Sequence, residues 1–516
     1  LINKYQAYKN ADEHIKDLII KVEGIWIKTE KQLEILKSIV ESLDERLLSF
    51  QNACLERLER KLGLAILKLE TLADADISSI SLQNLSLSIR PLKRLQYAAF
   101  EKSLRRSIDD LRSWHEEFDL TWYLIGRIAD SNIDTALSKR PSSSPAQENV
   151  NTISAIREAI QTGRRGDVSE PPVFVEPKVL SSRRTPLFNS NLELCSLSID
   201  DTRVLLDTTA FDADLDKVKY TTHAGVLAQL LSLSKPETLG LLQCLGVIKL
   251  FNPSGSLSQF QFIYKLTPTL SKASTLRVML TEPSPSLDAK FRLASSLARS
   301  VMAVHSADFV HKNVRPETIV VFEDSKDPLP VSYLVGFERF RPRTPGTNLL
   351  GDMVWERNIY RFPLRQGLRP EQEYEMQHDI YSLGACLLEI GMWTSFVTTT
   401  DPPQPGPRLD ISQQLHLAKK EHLKSAWEIK KIFLEMAREF LPSTMGLAYT
   451  EIVTSCLTCL DQGATNLFAA VKDTYDADRI AVGVAFIEKV LMRLESIRFE
   501  NEGERTKLTT GTSEDF

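Results

Sequence analysis

No glycine occurs between Gly166 and Gly225, a stretch of nearly sixty residues in which no glycine-rich phosphate loop can form. Cysteine is also scarce. Six in 516 residues, widely scattered, do not make a disulfide framework. Cys456 and Cys459 form a lone C-x-x-C with no second pair and no neighbouring His, which reads as buried helical thiols rather than zinc ligands. No run reaches the roughly 20 apolar residues of a membrane span, and no signal peptide is visible. Neither sign of charge dominates: 63 Lys plus Arg against 68 Asp plus Glu leaves a net −5, with no global basic field for nucleic acid. H-E-x-x-H, G-x-S-x-G and G-x-x-x-x-G-K-[ST] are absent, which removes the zincin, hydrolase-elbow and P-loop readings. The expectation is no metal, no cofactor and no nucleic acid, with a cytoplasmic location by default.

What is present divides the chain. Residues 1–137 read as helical. Leu33, Leu36, Val40, Leu43, Leu47, Phe50, Cys54 and Leu58 form a stripe at steps of three and four, continuing to about Leu72. A second stripe runs Leu104, Ile108, Leu111, Trp114, Phe118, Trp122 and Ile125, and a shorter helix is expected over 3–20. Positive and negative residues balance at 22 each over 1–140. Long helices with short connections predict an all-α antiparallel bundle. Within it Arg90, Lys93, Arg94, Lys102, Arg105 and Arg106 crowd one segment. The cluster is either a solvated helix face or a surface for anionic lipid head groups.

Residues 138–190 carry the Pro/Ser-rich composition of a linker, with Ser-Lys-Arg-Pro-Ser-Ser-Ser-Pro at 138–145 and Pro171-Pro172, and a short helix over 151–162. From 191 to 285 strands are expected at Thr202–Phe211, Cys244–Leu250 and Gln259–Leu266, with a helix over Ala224–Leu233. Helices dominate 286–500, beginning with Asp288–Ser306. The tail, 501–516, is polar and reads as disordered.

The most informative segment is His311-Lys312-Asn313-Val314-Arg315-Pro316-Glu317-Thr318-Ile319. It resembles the protein-kinase catalytic loop H-R-D-L-K-P-E-N-I. Leu334-Val335-Gly336-Phe337-Glu338 resembles the magnesium-binding segment L-x-D-F-G, and His378-Asp379-Ile380-Tyr381-Ser382-Leu383-Gly384 resembles D-x-[WY]-S-[FL]-G. In this order the matches resemble eukaryotic-type protein kinases over roughly residues 190–465, most strongly from Phe291 to Trp393. The resemblance implies a bilobal α+β domain, with a small lobe over 191–285 and a large lobe beyond.

It also implies where the chemistry would sit, and there the sequence departs. Phosphoryl transfer needs a base for the hydroxyl proton and ligands for magnesium. The base position is Asn313, which accepts no proton at neutral pH. The metal positions are Thr318, a neutral hydroxyl, and Gly336, with no side chain, although magnesium favours carboxylates. The strand that should carry the nucleotide lysine reads Val204-Leu205-Leu206-Asp207, an acid for an amine. Lys217 or Lys219 could stand in for it, but the helix from 224 to 233 offers no glutamate to pair. Arg315 keeps a cation, either near a phosphate or as an ion-pair partner. The resemblance implies structural roles for His311 and Phe337, packed together in the core that joins the lobes, and for Asp379, hydrogen-bonded to loop amides. Pro363 is expected near the end of a degenerate activation segment.

A helical bundle linked to a kinase-like domain is similar to two architectures: the HeLo-type bundle of fungal heterokaryon-incompatibility proteins, and mixed-lineage kinase domain-like pseudokinases. In HeLo-type proteins the first helix is apolar and membrane-active, and its counterpart would precede Leu1. Together the resemblances imply a catalytically inactive signalling switch controlling the bundle, with protein partners, a homo-oligomer through the bundle, and association with an anionic membrane on activation. The alternatives are an atypical Ser/Thr kinase that retains activity and a coiled-coil scaffold.

Overall fold

A computed structural model of the chain describes residues 13–77 (44 aside), scattered positions between 106 and 135, and 173–497 apart from 211–216, 326, 338–340, 343–351, 419–420, 462–467 and 469–479. It divides into two units, Leu1–Ser154 and Ala155–Phe516. Helices combine with antiparallel sheets in a mixed α and β chain.

In the first unit α1 (Glu13–Ile39) and α2 (Glu45–Ile77) pack on one another. Leu18, Val22, Ile35, Leu36 and Ile39 of α1 and Leu47, Phe50, Cys54, Leu58 and Ala65 of α2 are buried. The stripe expected to run unbroken from Leu33 to Leu72 is therefore two helices. A 3₁₀ turn at Val40–Ser42 ends the first, and Leu43 is extended (φ −91°, ψ 140°). Val40, in register with the stripe, is 40% exposed. The helix expected to end at 20 continues to Ile39, its described part being Glu13–Ile39; residues 3–12 lie outside the described residues. Ile108, Leu111 and Ile125 of the second stripe are buried, while Leu104, Trp114, Phe118 and Trp122 fall outside what is described.

The second unit opens on an antiparallel sheet of order β1-β2-β3-β5-β4: β1 (Thr185–Pro186), β2 (Leu192–Ser196), β3 (Arg203–Ala210), β4 (Cys244–Phe251) and β5 (Leu257–Lys265). Val204 and Leu206 of β3 join Leu180, Cys195, Ile248 and Ile263 in one core. Leu205, on the opposite face, is also fully buried. A strand covered on both faces explains the continuous Val-Leu-Leu run. Between β3 and β4 lie α3 (Lys217–Ser232), longer than expected by a turn and a half, and the short α4 (Pro236–Leu239). Residues 173–190 are not linker. Phe174 bridges Val247, Leu180 bridges Leu197, and β1 pairs with β2; Pro177 falls in a 3₁₀ turn between these pieces and Pro186 lies in β1, at the edge of the sheet, where proline is tolerated.

After β5 come β6 (Leu270–Thr275), α5 (Leu276–Met279), α6 (Leu287–Ser306), β7 (Phe309–Val310), β8 (Ile319–Asp324), β9 (Asp327–Leu334) and β10 (Arg341–Pro342). β6, β8 and β9 form a second antiparallel sheet. α6 starts where Ser286 Oγ accepts the Ala289 N–H. Then follow α7 (Trp355–Asn358), α8 (Met376–Met392), α9 (Ser412–Leu417), α10 (His422–Thr444), α11 (Leu447–Leu457) and α12 (Ile480–Phe486). Every residue of α8 except Gln377 is buried, so α8 is the axis on which α6, α10 and α11 pack. All six cysteines are buried and none is in a disulfide. Among the described residues no helix is long and apolar enough to cross a membrane. The expected helix at 151–162 and the tail 501–516 lie outside the described residues.

Candidate functional site

The loop from His311 to Thr318 lies between β7 and β8, and Val335-Gly336-Phe337 follows β9 alongside it. Asp379 on α8 sets its backbone. Its carboxylate accepts hydrogen bonds from the N–H groups of His311 (2.8 Å) and Lys312 (2.9 Å), from His305 Nε2 (3.0 Å) and from the Tyr374 hydroxyl (2.6 Å). Burial pushes this carboxyl up, but His305, His311 and the Tyr374 hydroxyl outweigh it and hold it below the usual carboxylate range. These bonds fix Lys312 at φ 65°, a left-handed conformation costly for a side-chain-bearing residue.

His311 is wholly buried, its ring centroid 4.6 Å from that of Phe337. Nε2 meets Val335 O at 3.0 Å and Nδ1 accepts the Asn313 N–H at 3.3 Å. One nitrogen donates and the other accepts, as in a neutral imidazole. Burial accordingly lowers its pKa to about 4.

The side chains at the chemistry-bearing positions turn to each other. Asn313 Nδ2 donates to Gly336 O (3.1 Å), and its Oδ1 accepts from Arg315 Nε (2.8 Å). The Thr318 hydroxyl lies 2.7 Å from Asn313 O and 2.9 Å from Arg315 O, and accepts the Arg315 N–H at 3.2 Å. Gly336 adopts φ +81°, and a Cβ there would stand 2.3 Å from Thr318 Cγ2. Thr318 and a side chain at 336 therefore exclude one another. The Gly336 N–H donates to Asp207 Oδ2 at 2.8 Å, joining β3 to the loop across 129 residues of sequence. Asp207, opposite Leu192 and Phe262 in the sheet, is a buried acceptor for a backbone amide.

The network continues into α8. Arg315 reaches Glu317 Oε1 at 3.2 Å, and Arg277 of α5 reaches the same oxygen at 2.7 Å. Arg277 also donates to the Tyr360 hydroxyl (3.4 Å), which donates to Glu389 Oε1 (2.9 Å). Sequence reasoning missed Arg277, Tyr360 and Glu389. Glu317 lies inside the motif and was the one available signal that a buried cation should be sought.

A cavity of about 700 Å³ lies over this floor. Asp207, Arg277, Arg315, Glu317, Thr318 and Gly336 line it from below, and the β1–β2 turn closes one side. That turn is made without glycine. Asn189 takes the left-handed conformation (φ 57°), which asparagine tolerates better than most. Lys217 opens α3 and is not among the lining residues. Among the described residues no group of three or more His, Cys, Asp or Glu is disposed to hold a metal ion. Glu338, and Arg90, Lys93, Arg94, Lys102 and Arg105 of the basic cluster, lie outside the described residues, and Arg106 is half-buried.

The cavity is lined by the Thr318 hydroxyl, the guanidiniums of Arg277, Arg315 and Arg357, and the carboxylates of Asp207, Glu317 and Glu356. Asp207 accepts the Gly336 N–H, and Glu317 Oε1 pairs with both Arg277 and Arg315. Compared with known proteins, the chain matches no protein-family model and no curated protein at a significant level.

Proposed function

We propose that the second unit is a bilobal kinase-like domain without phosphoryl-transfer activity, acting as a signalling switch for a HeLo-type helical bundle formed by the first unit. The observation that carries this reading is the interlocking of the departures. Asp207 bonds the amide of Gly336, Gly336 has no room for a side chain beside Thr318, and Asn313 braces Gly336 to Arg315. One lost group could be bypassed by a neighbour. Replacements that satisfy each other's hydrogen bonds support a cleft held in shape for a purpose other than transfer. In this reading His311, Phe337 and Asp379 are structural. The partners are proteins, including further copies through the bundle, and the site of action is the cytoplasm, with an anionic membrane surface reached on activation through the basic cluster at 90–106.

The test uses the full chain. With ATP and magnesium it should show no magnesium-dependent thermal shift and no transfer to itself or to a generic protein substrate. Asn313→Asp should restore neither, because the new carboxylate would face Gly336 O. Robust transfer that Asn313→Ala abolishes would establish the alternative, an active atypical kinase, and sink this reading.

A further inference from the structure

β4 is the last strand in its sheet, so among the described residues one of its edges meets no other strand. On that edge lies the first described stretch of the second unit. Val247 N–H donates to Val173 O at 2.9 Å, and Val175 N–H donates to Val247 O at 3.0 Å. The result is a parallel bridge centred on Phe174 and Val247.

β4 fits this segment at three points. Gly246 supplies room, since a Cβ there would lie 3.0 Å from Val173 O and 3.1 Å from Val175 Cγ1. Lys249 Nζ sits 4.3 Å from the centre of the Phe174 ring, and the Phe260 ring of β5 is 6.3 Å away. Val175 packs against the core of Cys195, Val204, Leu206, Ile248 and Ile263.

The sequence also limits the fit. Pro171 and Pro172 precede the segment and Pro177 follows it. Proline brings no N–H to a ladder, and Pro177 begins a 3₁₀ turn. Two backbone hydrogen bonds, one ring and one valine hold the segment, while β5 behind it is paired along its length on both sides. Elements attached this lightly open locally, well below the threshold for global unfolding.

We propose that the β4 edge is a strand-docking site whose resident occupant is the chain's own Val173–Val175, and that this clip detaches while the sheet stays folded. Released, it bares a strand edge shaped for a β-branched, aromatic, β-branched triplet. The inference does not depend on whether the cleft is catalytically inactive.

Hydrogen exchange on the unmodified full chain is the first test. The amides of Val175 and Val247 should exchange at least tenfold faster than those of β5, without loss of β5 protection. Exchange of all of them at one common rate would overturn the proposal. The second test uses a labelled peptide of the sequence Pro-Pro-Val-Phe-Val-Glu-Pro. It should bind the full-length Phe174→Asp variant, whose own clip is weakened, at least tenfold more tightly than the wild type. Adding Gly246→Val should abolish that binding, with the thermal melt of each variant as the check on folding. A folded Phe174→Asp variant that takes up no peptide would equally overturn the proposal.

Discussion

Two polar networks meet at Arg315, and they are built differently. Around the loop, the side chains of His311, Asn313, Thr318 and Asp379 all find protein partners at 2.6–3.3 Å. Toward α8, Arg277 Nε, Glu317 Oε2 and Glu389 Oε2 are buried and find none among the described residues. Buried polar atoms are almost always paired. The loop network is therefore a frame, each bond holding a backbone position. The second network keeps charges in a place that does not fully satisfy them, and its properties should shift with protonation near and above neutral pH, where those of the first change only in acid.

The frame is broken most severely at Asp379. Asp379→Ala leaves two buried N–H groups and the Tyr374 hydroxyl without their acceptor, and should lower the stability of the second unit by about 3–5 kcal/mol in urea unfolding. The pH dependence follows from the sign of the shift. A carboxyl held below its ordinary value contributes stability that is present above the unfolded pKa and lost as pH falls through the folded one. The variant should therefore lose part of the acid sensitivity of the parent. A loss below about 1 kcal/mol would mean that the loop holds its shape without this anchor.

Gly336→Ala comes next. It sets a Cβ at φ +81° against Thr318, combining backbone strain with overpacking, for an expected loss of about 2–4 kcal/mol. A double-mutant cycle with Thr318→Ala sharpens the point: it removes Cγ2 but keeps Cβ, 2.7 Å from the added methyl, so partial relief of the collision should appear as a coupling of about 0.5–1 kcal/mol. Additive losses would show that the two side chains do not compete for the same space.

The frame was more legible in the sequence than the second network. His311 to Ile319 is contiguous, so its pattern survives substitution. Asp207 and Gly336 each stood out as departures, yet nothing in their 129-residue separation says that one bonds the other. Arg277 sits in an ordinary Ser-Thr-Leu-Arg-Val run, and burial of an arginine follows from three-dimensional proximity to Glu317 and Tyr360, which spacing does not encode. Elsewhere, periodicity merged α1 with α2, because a single 3₁₀ turn leaves the apolar spacing nearly in phase. Composition hid the folding of residues 173–190, where Pro, Ser and Arg outnumber the few residues that pair. β2 was missed for a related reason: Leu-Glu-Leu-Cys-Ser is short and follows a polar turn.

The effect smallest in acid, and the one that separates the two networks most sharply, is at Glu389. Burial pushes its carboxyl up to about 8, against the pull of the Phe396 amide, Arg277 and the Tyr360 hydroxyl. For a carboxyl raised in this way the folded state holds a proton that the unfolded chain gives up. The associated stability is fully present below the unfolded pKa, near 4.5, and is lost as pH rises through about 8, at up to about 1.4 kcal/mol per pH unit. Glu389→Gln keeps the shape and the acceptor at Oε1 but does not titrate. Below pH 5 the variant should be less stable by about 1 kcal/mol, since its amide N–H groups have no acceptor where Oε2 stood. Above pH 8 it should be the more stable of the two. Stability curves from urea unfolding between pH 4 and 9 would therefore cross. Parallel curves would mean that Glu389 stays ionised throughout, and the unpaired oxygen would then need a buried water or ion to explain it. The same scan on Asn313→Ala should give curves that do not cross, because the amide does not titrate over this range and its bonds to Gly336 and Arg315 hold at either end.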